Sequence, residues 1–417
     1  MTALPPLRDF DNPDFNPFFE ETAMFGDHDD PYPKLAELRE REGHVAEGDY
    51  RVFSGLHKDV TTPDVPSYMI LTYEACSKAL LTPDIFTNNA YTFNLGASFG
   101  KSVSTMDGAE HARYRRIFQK VFLPNKVREW GSTVVDPVVD ELLAEFEHTG
   151  KADLVSQFTL HYPFGVIYRQ LDLPREQGKI FHKLAVAQTL MTILPEPGIE
   201  ASEKLGEFFP KLIEQRRAEP GEDLVSLLVQ AEVDGDYLPE DVLVSFFRQL
   251  INAAGDTTYR GTSVLLTQLL RNPDQLDALR EDRSLLPNAI EEALRFDGPV
   301  IAQARWIARD TEFMGTQLKG DSIAHVMAGS ANRDPAMFDD PDTFNIRRPN
   351  AKRHLAFAVG PHICIGQHLA RVEMTRAINA ILDRLPNLRA DPDAPPPQCR
   401  GAMMRVPHSL PVLFDPQ

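Results

Sequence analysis

Apolar residues recur every three or four positions over most of the chain, the spacing that gathers them on one face of a helix. The longest such run covers residues 240–270, with Leu243, Phe246, Phe247, Leu250, Ile251, Ala254, Val264, Leu265 and Leu269. These occupy so much of the helix surface that the run predicts a buried central helix. Shorter helical patterns cover 32–41, 73–81, a segment opening at 106–116, 134–146, 181–193, 205–217, 285–296 and 369–382. Residues 50–53 and 68–72 look like strands. The stretch 87–104, rich in Asn, Gly, Ser and aromatics, predicts a mobile loop, and 190–197 either a lid over a cavity or a plain connection. The Pro- and Phe-rich segment before Tyr32 is expected to wrap the surface. Turn signals are spread along the chain and no internal repeat is present, which predicts one domain over residues 1–417, mainly α with a smaller β region.

Charge narrows the picture. The 417 residues carry 43 basic against 61 acidic side chains, a net charge of −18. That sign argues against non-specific binding to nucleic acid or to an anionic membrane surface. Residues 1–25 lack a basic start followed by an apolar core, and no stretch reaches the roughly 18 apolar residues of a spanning helix. A cytoplasmic protein with no membrane association is expected. Cys76, Cys364 and Cys399 show no Cys-x-x-Cys pairing and no disulfide framework, so reduced thiols are expected.

The chemistry gathers at Cys364, set between Gly360 and Gly366 and followed by a helical pattern. A loop that delivers a thiol at a helix start favours the thiolate, because unpaired backbone N–H groups and the helix dipole point at it. Gly360 and Gly366 let the backbone turn and approach a flat partner, against which Phe357 is placed to lie. Taken alone, a cysteine among apolar residues is a small buried hydrophobe. The frame of Phe357, Gly360, His362, Cys364 and Gly366 instead resembles the haem-binding loop of the cytochromes P-450. The resemblance implies a non-covalent haem b, iron protoporphyrin IX, with the Cys364 thiolate as axial iron ligand and His362 beside a propionate. A sulfur ligand pushes electron density onto iron and favours O–O cleavage. Ala358 stands where many bacterial members carry glycine.

Three further motifs follow the same family. His111 and Arg115 lie four apart, on one face of a helix opening at Asp107, a candidate N-cap. Standing alone they read as a solvated basic face; the resemblance makes them partners of a propionate. Within the central run, Asn252, Ala253, Ala254, Gly255, Asp256 and Thr257 set small residues beside an acid and a hydroxyl. A buried carboxylate is costly unless paired or solvated. By the residues alone this is a packing notch with threonines bonded to the preceding turn. The resemblance makes it an oxygen-binding groove, with Asp256 as a proton relay to solvent and Thr257 as the hydroxyl that hydrogen-bonds dioxygen. The groove's usual glycine is Ala254 here, with Gly255 one position on. Glu292 and Arg295, three apart, resemble the family's structural ion pair, with Arg348 or Arg347 as its third member.

Beyond that pair, the resemblance makes 298–303 an extended segment presenting Val300 and Ile301 to substrate, beside Asn252 and Ala253, and makes Arg305 the ligand of the other propionate. Asn252 and Gln303 would admit a polar group. Residues 331–335 also look like the family, and 407–412 are expected as the last strand pair. The implied fold is that of the cytochromes P-450, with haem between the long central helix and the helix following the Cys loop. The implied reaction inserts one atom of O2 into a hydrophobic small organic substrate. The chain has no Gly-x-Gly-x-x-Gly flavin fingerprint, so NAD(P)H-derived electrons are expected through a ferredoxin reductase and an iron–sulfur ferredoxin. A ferredoxin is acidic as a rule, which suggests docking at Arg113, Arg116 and Arg371. Two other readings stay open at this point: a same-fold peroxygenase or coupling enzyme, and a non-catalytic haem or ligand-binding protein.

Overall fold

The computed structural model describes residues 4, 6–18, 30–192 and 194–416. Residues 19–29, part of the expected surface wrap, and residue 193 lie outside the described residues. The molecule is built around a helix of 32 residues, Glu240–Arg271. Its first half, through Leu243, Phe246, Phe247 and Ile251, belongs to one apolar cluster. Its second half, through Val264, Leu265, Leu266 and Leu269, belongs to another. The polar stretch from Asn252 to Arg260 falls between the two cores, which is where a buried helix has room for chemistry. Helices Tyr162–Gln170, Gly178–Thr189, Pro195–Ala218, Leu286–Phe296 and Gln367–Arg384 pack around it.

A five-stranded sheet lies at one side, in the order Val45–Glu47, Ser67–Ile70, Ser322–Val326, Gln303–Ile307, Phe86–Thr87. Ser322–Val326 runs parallel to Ser67–Ile70 and antiparallel to Gln303–Ile307, with Ala324 opposite Arg305 and His325 opposite Ala304. The C-terminal strand Pro411–Leu413 pairs with Lys151–Asp153 and Arg389–Ala390. Among the described residues no helix is long and apolar enough to cross a membrane.

Three expectations fail locally, two of them for a capping reason. Residues 50–53 form a helix, not a strand, because the Asp49 side chain accepts from the backbone N–H groups of Arg51 and Val52. An N-cap outweighs the strand preference of a four-residue aromatic and β-branched run. The stretch 87–104 is structured in part: a 3-10 turn at Asn88–Thr92 and a helix at Leu95–Phe99 are capped by Thr87 and Asn94. The polar residues that suggested a loop are the caps themselves. The helix expected at 205–217 starts earlier, at Pro195; proline in a first turn gives up only an N–H that has no helical partner. Of the described residues in 190–197, Leu190–Thr192 form one short turn and Pro195 opens the next helix.

Candidate active site: a thiol loop, a central-helix cavity and a buried ion triad

The cysteine loop closes on itself. The backbone N–H of Cys364 donates to Phe357 O at 2.9 Å, and that of Ile363 to Gly360 O at 3.1 Å. Gly360 has φ +81°, and a Cβ there would stand 2.7 Å from Leu80 O, so no other residue fits without moving the backbone. Gly366 is the N-cap of helix Gln367–Arg384. Cys364 is open on one side and walled by protein elsewhere. Burial pushes its thiol pKa up, against the pull of the Gly366 and Gln367 backbone N–H groups and of the Arg115 and Arg371 charges. Such a thiol becomes a thiolate when a cation or Lewis acid meets it. Phe357 carries the Arg371 guanidinium 4.5 Å above its ring.

Ala358 has φ +57° and is buried. A left-handed residue with a Cβ costs about 1–2 kcal/mol, partly offset by the extra unfolded-state freedom of glycine. Ala358→Gly is therefore expected to stabilise the fold by about 0.5–1 kcal/mol, read as a higher urea midpoint. An unchanged or lower midpoint would show that the loop carries no strain there.

Facing the loop, helix Gly108–Val121 presents His111 and Arg115, both buried. Arg115 Nη2 donates to Ile363 O. His111 Nε2 and Arg115 Nε are buried and have no hydrogen-bond partner. Burial, then the charges of His362 and Arg115, push His111 down to about 4. The His111 and His362 rings lie 4.0 Å apart. His362 Nε2 is 3.1 Å from Asp107 Oδ1 and its Nδ1 3.0 Å from Asn88 Nδ2. Asp107 occupies the N-cap position but its side chain caps nothing; it holds His362 and accepts from Asn88 N instead. Arg305 is buried, donates to Ala304 O at 2.7 Å and lies 5.8 Å from the Tyr91 ring. Among the described residues neither Arg115 nor Arg305 meets a carboxylate. Buried guanidinium groups without a counter-charge, and an orphaned imidazole nitrogen, are what a group with carboxylate side chains would satisfy. With a thiol whose anion needs a Lewis acid, these residues fit a haem.

A cavity of about 370 Å³ lies against the central helix and is lined by Asn252, Ala253, Asp256, Thr257 and Val300, among others. Cys364 does not border it. Thr257 Oγ1 donates to Ala253 O at 2.8 Å. Gly255 points away from the cavity, where a Cβ would stand 2.5 Å from the Phe164 ring; it serves helix packing rather than the groove. Asp256 does not open to solvent. Its two oxygens are both 2.9 Å from Arg260 Nε, one turn on, and both side chains are buried. Ile301 is corrected too: fully buried, it packs with Tyr32, Leu35 and Met327. Alternation along an extended segment sends Val300 and Ile301 to opposite sides. Gln303 does not line the cavity and approaches Leu355 O at 3.5 Å.

The cavity also takes residues that no motif announced: Arg51, Asn94, Gln188, His325, Met403 and Met404. They come from five separate segments, so only the folded chain brings them together. The expected basic docking patch does not exist as free charge. Arg113 binds Asp236 at 2.6 Å, Arg116 binds Asp234 at 2.8 Å and Arg371 binds Glu291 at 2.6 Å. The short hairpin Glu232–Tyr237, laid along helix Gly108–Val121, neutralises the first two.

Glu292 is fully buried and receives both Arg295, at 2.7 and 2.9 Å, and Arg348 Nε, at 3.1 Å to each oxygen. The third member is thus Arg348; Arg347 is exposed. Arg295 also donates to the carbonyls of Asn332, Pro341 and Thr343.

The model of the family described as "Cytochrome P450" matches residues 181–412. Pulcherriminic acid synthase of Bacillus subtilis (strain 168) is 33% identical over 387 residues, 88% of this chain and 95% of that protein. A steroid C26-monooxygenase of Mycolicibacterium smegmatis is 36% identical over 357 residues, 83% of this chain and 87% of that one. The solved cytochrome P450 PksS of the Bacillus subtilis 168 bacillaene polyketide synthase superposes with TM-score 0.81 at 27% identity, covering 93% of this chain and 97% of that one. A thiol loop with these unsatisfied cationic neighbours, a family match over more than half the length and relatives aligned nearly end to end agree: the chain belongs to the cytochrome P450 family of haem-thiolate monooxygenases.

Proposed function

We propose that the chain oxygenates an apolar small molecule held in the cavity beside Ala253 and Thr257. The observation that carries this reading is that cavity, which runs along the small-residue stretch of the central helix and is walled largely by apolar side chains such as Leu95, Phe99, Val300 and Met403. Its size and walls suit a steroid, terpenoid, aromatic or fatty-acid skeleton, and one relative is named for oxygenating a steroid. Cys364 would supply the thiolate that holds the haem iron. His111, Arg115 and His362 would hold one haem propionate and Arg305 the other, with Phe357 and Gly366 shaping the approach of the loop. Bound haem supplies the activation of O2 by reducing equivalents.

The chain's own residues manage water and protons. Thr257 Oγ1, now bonded to Ala253 O, can turn its hydroxyl into the cavity and offer a proton there. Asp256, clamped by Arg260, fixes a negative charge beside Thr257 and orients what bonds to that hydroxyl. A binding protein has no use for an acid set beside a hydroxyl as Asp256 and Thr257 are, and this disfavours the non-catalytic reading. NAD(P)H-derived electrons arrive through a ferredoxin reductase and a ferredoxin, in the cytoplasm. Because Arg113, Arg116 and Arg371 are already paired, docking depends on carboxylate exchange at those pairs or on another face.

Thr257→Ala tests the reading, with a substrate chosen by spin-state titration and a plant-type ferredoxin as donor. Product formation is expected to fall by about a hundredfold, the low end of what positioned proton transfer contributes, while NAD(P)H consumption continues and hydrogen peroxide appears. An unchanged ratio of product to NAD(P)H would remove Thr257 from the reaction.

A further inference from the structure

Among the described residues, four side chains on the cavity wall, those of Arg51, Gln188, Thr192 and His325, carry buried polar atoms without a hydrogen-bond partner, and Arg51 and Gln188 are the two that bring N–H donors. Arg51, on the short helix Tyr50–Phe53, is 7% exposed. Its Nε donates to His57 O at 2.8 Å, but its Nη2 has no partner and no access to bulk water. Gln188, in the last turn of helix Gly178–Thr189, is 2% exposed, and both its amide nitrogen and its amide oxygen lack partners. Both residues line the cavity that Thr257 lines. Each unmade bond in such a place costs about 1–3 kcal/mol, and because these atoms lie beneath the cavity surface, a ligand oxygen meets them once the side chain turns toward it.

The charges around Arg51 decide which kind of oxygen. Asp49 lies 3.3 Å from His325 Nε2 and accepts the backbone N–H groups of Arg51 and Val52. Asp59 accepts from Thr61 and, at 3.3 Å, from Asn94. Burial lowers the pKa of the Arg51 guanidinium, and the attraction of Asp59 and Asp49 opposes that. His325, Asp49, Asp59 and Asn94 share the cavity wall with Arg51 and Asp256 with Thr257. A carboxylate brought to Arg51 would therefore face Asp49 and Asp59 with its charge uncompensated. A neutral carbonyl oxygen meets no such repulsion and accepts the Nη2 proton.

We infer that the substrate carries an uncharged carbonyl group, a ketone, ester or amide, that docks on Arg51 and Gln188 while its apolar body fills the rest of the cavity. The inference rests on this cavity being the substrate site. Gln188 widens the class to amides, since it can accept an N–H as well as donate. A site built around a hydrogen bond rejects the analogue that lacks it far better than an apolar pocket rejects one methylene.

The test uses 2-undecanone, undecane and undecanoate with the haem-loaded protein, followed by calorimetry and by the spin-state shift. Wild type is expected to bind the ketone at least roughly tenfold tighter than the other two. Arg51→Met is expected to lose that preference and keep its affinity for undecane within about twofold. Arg51 also braces His57, so Gln188→Leu serves as the second variant, with the same loss expected in milder form. Equal affinity for ketone and undecane, tighter binding of undecanoate, or an unchanged preference in both variants would overturn the inference. Calorimetric binding of the ketone without any spin-state shift would leave the Arg51 wall standing and count against the monooxygenase site.

Discussion

Cys364→Ser is expected to leave the fold standing and abolish the optical signature of thiolate-ligated haem. Dithionite-reduced wild type under carbon monoxide should show a Soret band shifted well to the red of histidine-ligated haem proteins, and the serine variant should not. The reason is local. Cys364 stands at the N-terminus of helix Gln367–Arg384, with the Gly366 and Gln367 N–H groups and the Arg115 and Arg371 charges all favouring its anion. A thiol ionises near pH 8–9 in water, within reach of those influences once a metal is present, and a serine hydroxyl does not. The Phe357 O to Cys364 N bond and the Gly360 turn use only backbone atoms, so loop shape survives the exchange and haem retention separates loss of the ligand from loss of the site. Monooxygenation should fall to background, since electron donation from sulfur drives O–O cleavage. A wild-type band at the histidine position would take Cys364 out of the first coordination sphere.

The thiol loop was legible through its resemblance to a family's loop, which works because the frame is one contiguous segment; the residues alone would have left Cys364 a small buried hydrophobe. The central helix was legible from its own residues, the apolar ones being too numerous for one face. The walls of the cavity were not. Arg51 and Gln188 are ordinary residues at the level of sequence, and their meaning lies in the bonds they fail to make. Val300 and Ile301 are neighbours that looked equivalent and are separated by the period of an extended chain. Charge was misread at Arg113, Arg116 and Arg371 because a positive side chain in sequence says nothing of the carboxylate folded against it. Asp256 had the same fate: its partner Arg260 lies one helical turn away, a spacing visible in the sequence and outweighed by the expectation of an open relay.

The second large effect lies away from the cavity. Glu292→Gln is expected to destabilise the protein by about 3–5 kcal/mol, because one buried carboxylate serves two buried guanidinium groups and its loss strands both. Arg348→Met should cost less, since Glu292 would keep Arg295 and the backbone N–H of Asn345 at 2.9 Å. The order, Gln at 292 worse than Met at 348, separates an unpaired-charge effect from simple loss of packing, which would predict the reverse given the larger side chain removed. The damage should also reach the haem site. Arg295 ties down the carbonyls of Asn332, Pro341 and Thr343, and the Asn332 side chain accepts from Leu355 N at 2.7 Å, two residues before Phe357. Loosening residues 332–343 therefore removes an anchor of the loop that carries Cys364. For a chain of this size the readout is the apparent urea midpoint together with haem retained after gel filtration. A Glu292→Gln protein that keeps both its midpoint and its haem would show that the two arginines are satisfied by backbone carbonyls alone.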